Sequence, residues 1–110
     1  MSRFAILRHD HPTLHWDLLL EDGECCLTWR LSAEPTGADG RRIEVEPMPP
    51  HRLVYLTYEG PVSGNRGTVT AWDRGTFTWI DREQPQFRLQ GERITGVFAI
   101  GATLRRIDGE

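Results

Sequence analysis

Three of the chain's four histidines, His9, His11 and His15, fall within seven residues, and Asp17 follows directly. Imidazole nitrogens and a carboxylate oxygen suit a borderline divalent ion such as Mn²⁺, Fe²⁺ or Zn²⁺, with positions left open for water or substrate. Spacing decides which of them can cooperate. If His15–Glu21 is a β-strand, its two-residue period puts His15, Asp17, Leu19 and Glu21 on one face. Trp16, Leu18 and Leu20 then fill the other face as core. His15 and Asp17 would stand roughly 6–7 Å apart along the strand, close enough to converge on one ion. His9, at the end of the preceding strand, can supply a third ligand, and Pro12 suits the turn that folds Arg8 back toward His15. The same spacing is compatible with a solvated, His-rich turn and a rim aspartate. His11, directly before Pro12, points to solvent or supports a ligand from behind.

The fourth histidine, His51, heads the segment HRLVYLTYEG. Read as a strand, this segment places Leu53, Tyr55 and Thr57 on the face of His51. A His and a Tyr beside a metal suit phosphate binding or proton transfer. A His at a strand start also has a purely structural reading.

The elements that must position these groups are strands. Eleven Gly and seven Pro interrupt the chain, helical periodicity is nearly absent, and the intervening segments are short and rich in β-branched, aromatic and Leu residues. Strands are expected at Phe4–Arg8, His15–Glu21, Cys25–Leu31, Ile43–Glu46, Leu53–Tyr58, Gly67–Asp73, Phe77–Asp81, Phe87–Gln90, Thr95–Ile100 and Thr103–Ile107. Asp22-Gly23 reads as a hairpin turn, and Gly75 and Gly91 mark two more turns. Ser32–Arg41 reads as a polar loop. The expected fold is all-β, a small closed or nearly closed barrel of about eight to ten short strands with little helix; a β-sandwich is the alternative. Trp29, Trp72 and Trp79 read as core or barrel-rim packing rather than as base-stacking platforms, and Asp73 and Arg74 as holding a turn.

The chain has 110 residues, enough for one domain over residues 1–110. All 13 of its basic residues are Arg, set against 16 acidic ones, for a net charge of −3. The absence of Lys excludes a Schiff-base or P-loop lysine, and the acidic balance argues against a non-specific coat on nucleic acid. Any phosphate must be held by Arg, His, backbone N–H groups or a metal. Cys25 and Cys26 are adjacent and form no CxxC pair, so they read as small hydrophobes on a strand. No run approaches the ~18 apolar residues of a membrane helix, and the N-terminus has no secretory h-region. A cytoplasmic, monomeric protein is expected.

The order of motifs resembles the 3′-phosphoesterase domain of the bacterial DNA repair ligase D. FAILRHDHPTLHWDLLLE is similar to that family's F-V-I-Q-x-H-x-A-x-x-L-H-Y-D-x-R-L-E. DGECCLTWRL, RRIEVE, HRLVYLTYEG, GTVTAWDRGTFT and FRLQGERITGVFAI follow in the family's order, so the resemblance spans about Phe4 to Ile100. It implies a small β-barrel that uses Mn²⁺ to trim 3′ ends of DNA or RNA-tipped DNA, removing a terminal ribonucleoside and then the 3′-phosphate. It also implies metal ligands at His9, His15 and Asp17, a phosphate-contacting His51, and active-site roles for Tyr55 and Arg42, or Arg41 if the loop before His51 shifts the register.

The departures are specific. The family's active-site Arg two residues after the metal Asp is Leu19 here, and its Lys after the strand Trp falls on Ala33. An N-terminal arm with catalytic Arg, Asp and Glu would lie before the start of this sequence. Arg30, Arg52 and Arg66 are candidates to replace the missing cations, and sequence does not rank them. Three readings stay open. One is a metal-dependent 3′-phosphoesterase of end-healing repair. Another is a non-catalytic module that binds metal and nucleic-acid 3′ ends beside a separate DNA ligase or polymerase. The third is a different metalloenzyme or small-molecule phosphoesterase on the same barrel. Mn²⁺ is the expected ion, with Zn²⁺ as the alternative.

Overall fold

The computed structural model describes residues 2–35 and 42–108. Its strands are β1 (Ser2–His9), β2 (His15–Asp22), β3 (Cys25–Leu31), β4 (Ile43–Arg52), β5 (Gly60–Pro61), β6 (Thr68–Asp81), β7 (Gln86–Gly91), β8 (Thr95–Ile100) and β9 (Thr103–Arg106), with a 3₁₀ turn, η1 (Leu53–Leu56), before β5. All pairings are antiparallel. The order β1-β2-β3-β4-β9-β8-β7-β6 returns to β1, so eight strands close a barrel, and β5 lies beside the start of β6. Closure satisfies backbone groups that an open sheet would leave at its edges. Among the described residues the seam between β4 and β9 is short: Ile43 pairs with Leu104 and Glu44 with Thr103. Beyond it β4 runs on past β9, where Pro47, Pro49 and Pro50 lack the N–H that an edge would offer to another strand.

The apolar runs of β1 and β2 are buried on both faces. Phe4, Ile6, Leu18 and Leu20 join Phe77, Phe87, Leu89 and Phe98 in the large interior cluster drawn from every strand of the ring. Trp72 belongs to this cluster, and Trp16, Trp29 and Trp79 pack against it. The alternate residues Ala5, Leu7 and Leu19 form a second, smaller cluster with Cys26, Leu56 and Val69 on the outer face. η1 covers that outer cluster, and Arg74 secures it by donating from Nε to the Leu56 carbonyl at 2.9 Å.

Two expectations are corrected here. The segment Leu53–Tyr58 is not a strand. Its first four residues coil into η1 because Leu56 must reach down onto Leu7 and Leu19, which an extended chain continuing β4 would not do. Gly75 is not a turn. It lies mid-strand in β6, facing Phe4 on one side and Gly91 on the other. A Cβ on Gly75 would stand 2.0 Å from the Gln90 carbonyl oxygen, so the glycine permits close approach of two strands. The turn reading of Gly91 holds, since its N–H donates to the Ile94 carbonyl at 2.9 Å. Asp73 holds that turn: its buried carboxylate accepts from the backbone N–H groups of Arg74, Glu92, Arg93 and Ile94.

Candidate metal centre

Register builds the site. His9 stands directly opposite His15, and Leu7 opposite Asp17, in the β1–β2 ladder. All four point to the outer face, where Leu7 and Leu19 floor the site. The next strand places Arg30 opposite Asp17, and β4 places Glu46 opposite Arg30.

Each ligand-bearing imidazole is held by a backbone carbonyl. His15 Nδ1 lies 2.9 Å from the Thr13 oxygen, and His9 Nε2 lies 2.8 Å from the Arg66 oxygen. A carbonyl oxygen only accepts, so these nitrogens carry the protons, and the opposite nitrogens present lone pairs. Those lone pairs face Asp17. His15 Nε2 is 3.3 Å and His9 Nδ1 3.8 Å from Asp17 Oδ2. Ligand atoms from the three residues all lie within 4.8 Å of one another.

His15 Nε2 is buried and has no hydrogen-bond partner. Its approach to Asp17 is close enough for an ion pair, yet it lacks the alignment of a hydrogen bond. An orphaned lone pair, a second imidazole lone pair and a carboxylate converging on one point are a donor set that fits a divalent cation. The carbonyl contacts supply the outer support that fixes ring orientation at metal sites.

The Arg66 carbonyl is delivered by the loop between β5 and β6. Val62 N–H donates to the Gly67 carbonyl at 2.8 Å, closing that loop. Gly67 has φ +78, and a Cβ there would sit 2.3 Å from Asp10 Oδ1 and 2.6 Å from the His11 Cβ. Asp10 fastens the same junction by accepting from the Thr68 N–H at 2.8 Å, which holds its carboxyl below the usual carboxylate range. The His11–Pro12 peptide in the β1–β2 turn is cis.

A cleft of about 330 Å³ opens over the cluster, with His9, His11, Asp17, Arg30, His51 and Arg66 among its walls. It adjoins a second depression of about 320 Å³ that reaches Arg52 and Tyr55. His51, at the end of β4, points its ring toward Tyr55 on η1, with ring centroids 6.1 Å apart. The two do meet, through η1 rather than through the strand alternation expected. His51 Nδ1 lies 3.0 Å from the Pro49 carbonyl, leaving Nε2 free. Cys26, opposite His51 in the ladder, packs in the outer apolar cluster, where burial pushes its thiol up to about 11.

Arg42 is not brought to this cleft. It precedes β4, whereas His51 is near the strand's far end, and an extended chain advances about 3.3 Å per residue. Arg42 instead lines a separate depression with Gln84, Thr103 and Arg105. Arg41 lies outside the described residues. Leu19 is fully buried in the outer cluster, and Ala33 is exposed past the end of β3. The carbonyls of Thr13 and Arg66 had no signal in the sequence, because any residue provides one.

A barrel carrying a His-His-Asp cluster on its outer face presents a candidate metal centre. The chain belongs to the DNA ligase D 3′-phosphoesterase domain family, which it matches over residues 7–101. It is 29% identical over 107 residues to the multifunctional non-homologous end joining protein LigD of Pseudomonas aeruginosa, covering 87% of this chain and 13% of that protein. No helix among the described residues is long and apolar enough to cross a membrane.

Proposed function

We propose that this protein is a metal-dependent 3′-phosphoesterase that acts on 3′ ends of DNA or RNA-tipped DNA in end-healing repair. The observation that carries the reading is the buried, unpartnered Nε2 of His15 beside Asp17 and His9, in a chain of the 3′-phosphoesterase family. His9, His15 and Asp17 would hold the ion, Mn²⁺ in this reading and Zn²⁺ as the alternative. A divalent ion held there supplies charge that stabilises a phosphate and makes a water more acidic.

The chain's own residues do the rest. The Thr13 and Arg66 carbonyls keep both imidazoles in the ligand tautomer. His51, with Nδ1 committed to Pro49, offers Nε2 to a phosphate oxygen or to a proton in transit. Tyr55 packs edge-on against that ring and fixes its direction. The partners this reading implies are nucleic-acid 3′ ends and a DNA ligase or polymerase that uses the healed end; the named relative is an end-joining protein.

A second reading, a non-catalytic module that binds metal and nucleic-acid ends, is favoured by Leu19. That position, two residues after Asp17, is buried under η1 and offers no charge to a phosphate. One assay separates the two. Wild type and His15→Ala are incubated with Mn²⁺ and a primer-template ending in 3′-phosphate or a 3′-ribonucleotide. Trimming by the wild type and none by the variant is the expected result. No product from the wild type at high enzyme concentration would overturn the 3′-end phosphoesterase reading and favour the binding one.

A further inference from the structure

We propose that Arg30 is the substrate-binding cation of this site, gripping the phosphate beside the His9–His15–Asp17 cluster. The inference rests on the phosphoesterase reading and adds to it a residue and a direction of approach. Arg30 stands directly across the β2–β3 ladder from Asp17, on the same outer face. Side chains so placed are nearest neighbours, with Cβ atoms about 5 Å apart. Its Nε is buried and has no partner. A buried guanidinium nitrogen left unbonded is costly unless something completes it.

Arg30 forms no ion pair with either of its ladder neighbours, Asp17 and Glu46. Its charge is held beside the cluster without being neutralised by it. Arg30 also lines two cavities. One is the cleft over the cluster; the other, of about 380 Å³, lies on the far side toward Ser32 and Glu44. An anion seated at the cluster would therefore meet the guanidinium at its edge. A planar fork of N–H donors suits two oxygens of one phosphate.

The other arginines near the site are otherwise engaged or placed. Arg66 turns its guanidinium back on its own loop, donating to the Ser63 carbonyl at 2.7 Å and the Ser63 hydroxyl at 3.2 Å. Arg74 binds the Leu56 carbonyl and Glu59, and although its Nη2 is also buried without a partner, its ladder neighbour is Ala5 rather than a residue of the cluster. Arg52 is exposed and shares the η1-side depression with His9 and Asp17, but its ladder partner is Cys25, whereas Arg30 pairs directly with Asp17.

The test measures binding rather than turnover. Fluorescence anisotropy with Mn²⁺ compares a duplex ending in an uncleavable 3′-methylenephosphonate with the same duplex ending in 3′-OH. Wild type is expected to prefer the phosphonate end. Arg30→Gln is expected to lose about ten- to a hundredfold of that preference, the weight of one charge-assisted contact, with Mn²⁺ affinity undiminished. Arg30→Lys retains charge and stem but not the fork, so it is expected to fall between the two and keeps the test decisive if the Gln variant folds poorly. A wild-type preference that survives in both variants overturns the role of Arg30 and leaves the phosphoesterase reading standing. A wild type with no preference for the phosphonate end overturns both.

Discussion

His15 Nε2 stands 3.3 Å from Asp17 Oδ2 and makes no hydrogen bond to it. With Nδ1 protonated against Thr13, the two facing atoms both carry lone pairs and repel unless a cation lies between them. Asp17→Asn is expected to leave the melting temperature of the metal-free protein unchanged or a few degrees higher. The stabilisation gained on adding Mn²⁺ should vanish in the same variant. Calorimetry with and without EDTA measures both. A metal-free variant that melts far below wild type would instead make Asp17 a structural partner of a protonated His15.

Gly67 is expected to control metal affinity from outside the ligand set. Its positive φ and the approach of Asp10 and His11 leave no space for a Cβ. Gly67→Ala must displace the loop that brings the Arg66 carbonyl to His9. Loss of such an orienting contact typically weakens metal binding by about 10–100-fold. Titration calorimetry with Mn²⁺ reads this directly, and affinity equal to wild type would show that His9 orients itself.

His51 and Arg42 should separate cleanly by substitution. His51 faces the cleft and has a free Nε2, so His51→Ala is expected to slow 3′-phosphate release by about 10²–10³-fold. Arg42 lines another depression, so Arg42→Ala is expected to stay within about twofold of wild type. A large loss from Arg42→Ala would mean that the chain before β4 reaches the substrate by a route absent from the described structure.

Asp73 is expected to be the most sensitive polar position outside the site. It is buried and satisfies four backbone N–H donors around the Gly91–Ile94 turn. Asp73→Ala strands those donors and should destabilise the barrel by about 3–5 kcal/mol. Urea denaturation followed by tryptophan fluorescence gives the value, and a loss under about 1 kcal/mol would show that water replaces the carboxylate.

Acid should weaken the fold through Asp10 and Glu21. The Thr68 N–H holds the Asp10 carboxyl below the usual range, and hydrogen bonds from the Arg3 side chain and backbone do the same for Glu21. A carboxyl whose folded value is depressed contributes its full stability above the unfolded value, near pH 4, and loses it as pH falls through the folded value. Urea midpoints should therefore drop on acidification below about pH 4. Asp10→Asn should flatten part of that slope, and an unchanged slope would exclude Asp10 as a contributor.

The legibility of this sequence follows the range of the interactions involved. Period two alone placed His15 and Asp17 on one face, and His9 joined them because a short turn pairs the ends of β1 and β2. The limits of Cys25–Leu31 and Thr95–Ile100 also matched local signals. Arg30 could not be ranked above Arg52 and Arg66, since its place beside Asp17 depends on the β2–β3 register and on where the other two guanidinium groups turn. Leu53–Leu56 misled because its composition suits a strand, while the outer cluster needs a cover. Gly75 misled because a glycine that admits a neighbouring strand looks like a glycine that makes a turn. Arg42 was placed by resemblance alone, and the length of β4 carries it away.

The seam between β4 and β9 is the thinnest join of the ring among the described residues. Among the described residues two pairs close the ring there, whereas β1 engages β6 through eight pairs and β2 through six. Local opening should begin at the thin join, with amide hydrogens around Ile43 and Leu104 exchanging with solvent well before those of β1 and β2. The histidines and Asp17 ride on the stiff side of the ring. Opening along that flank would leave the strands that carry His9, His15 and Asp17 paired.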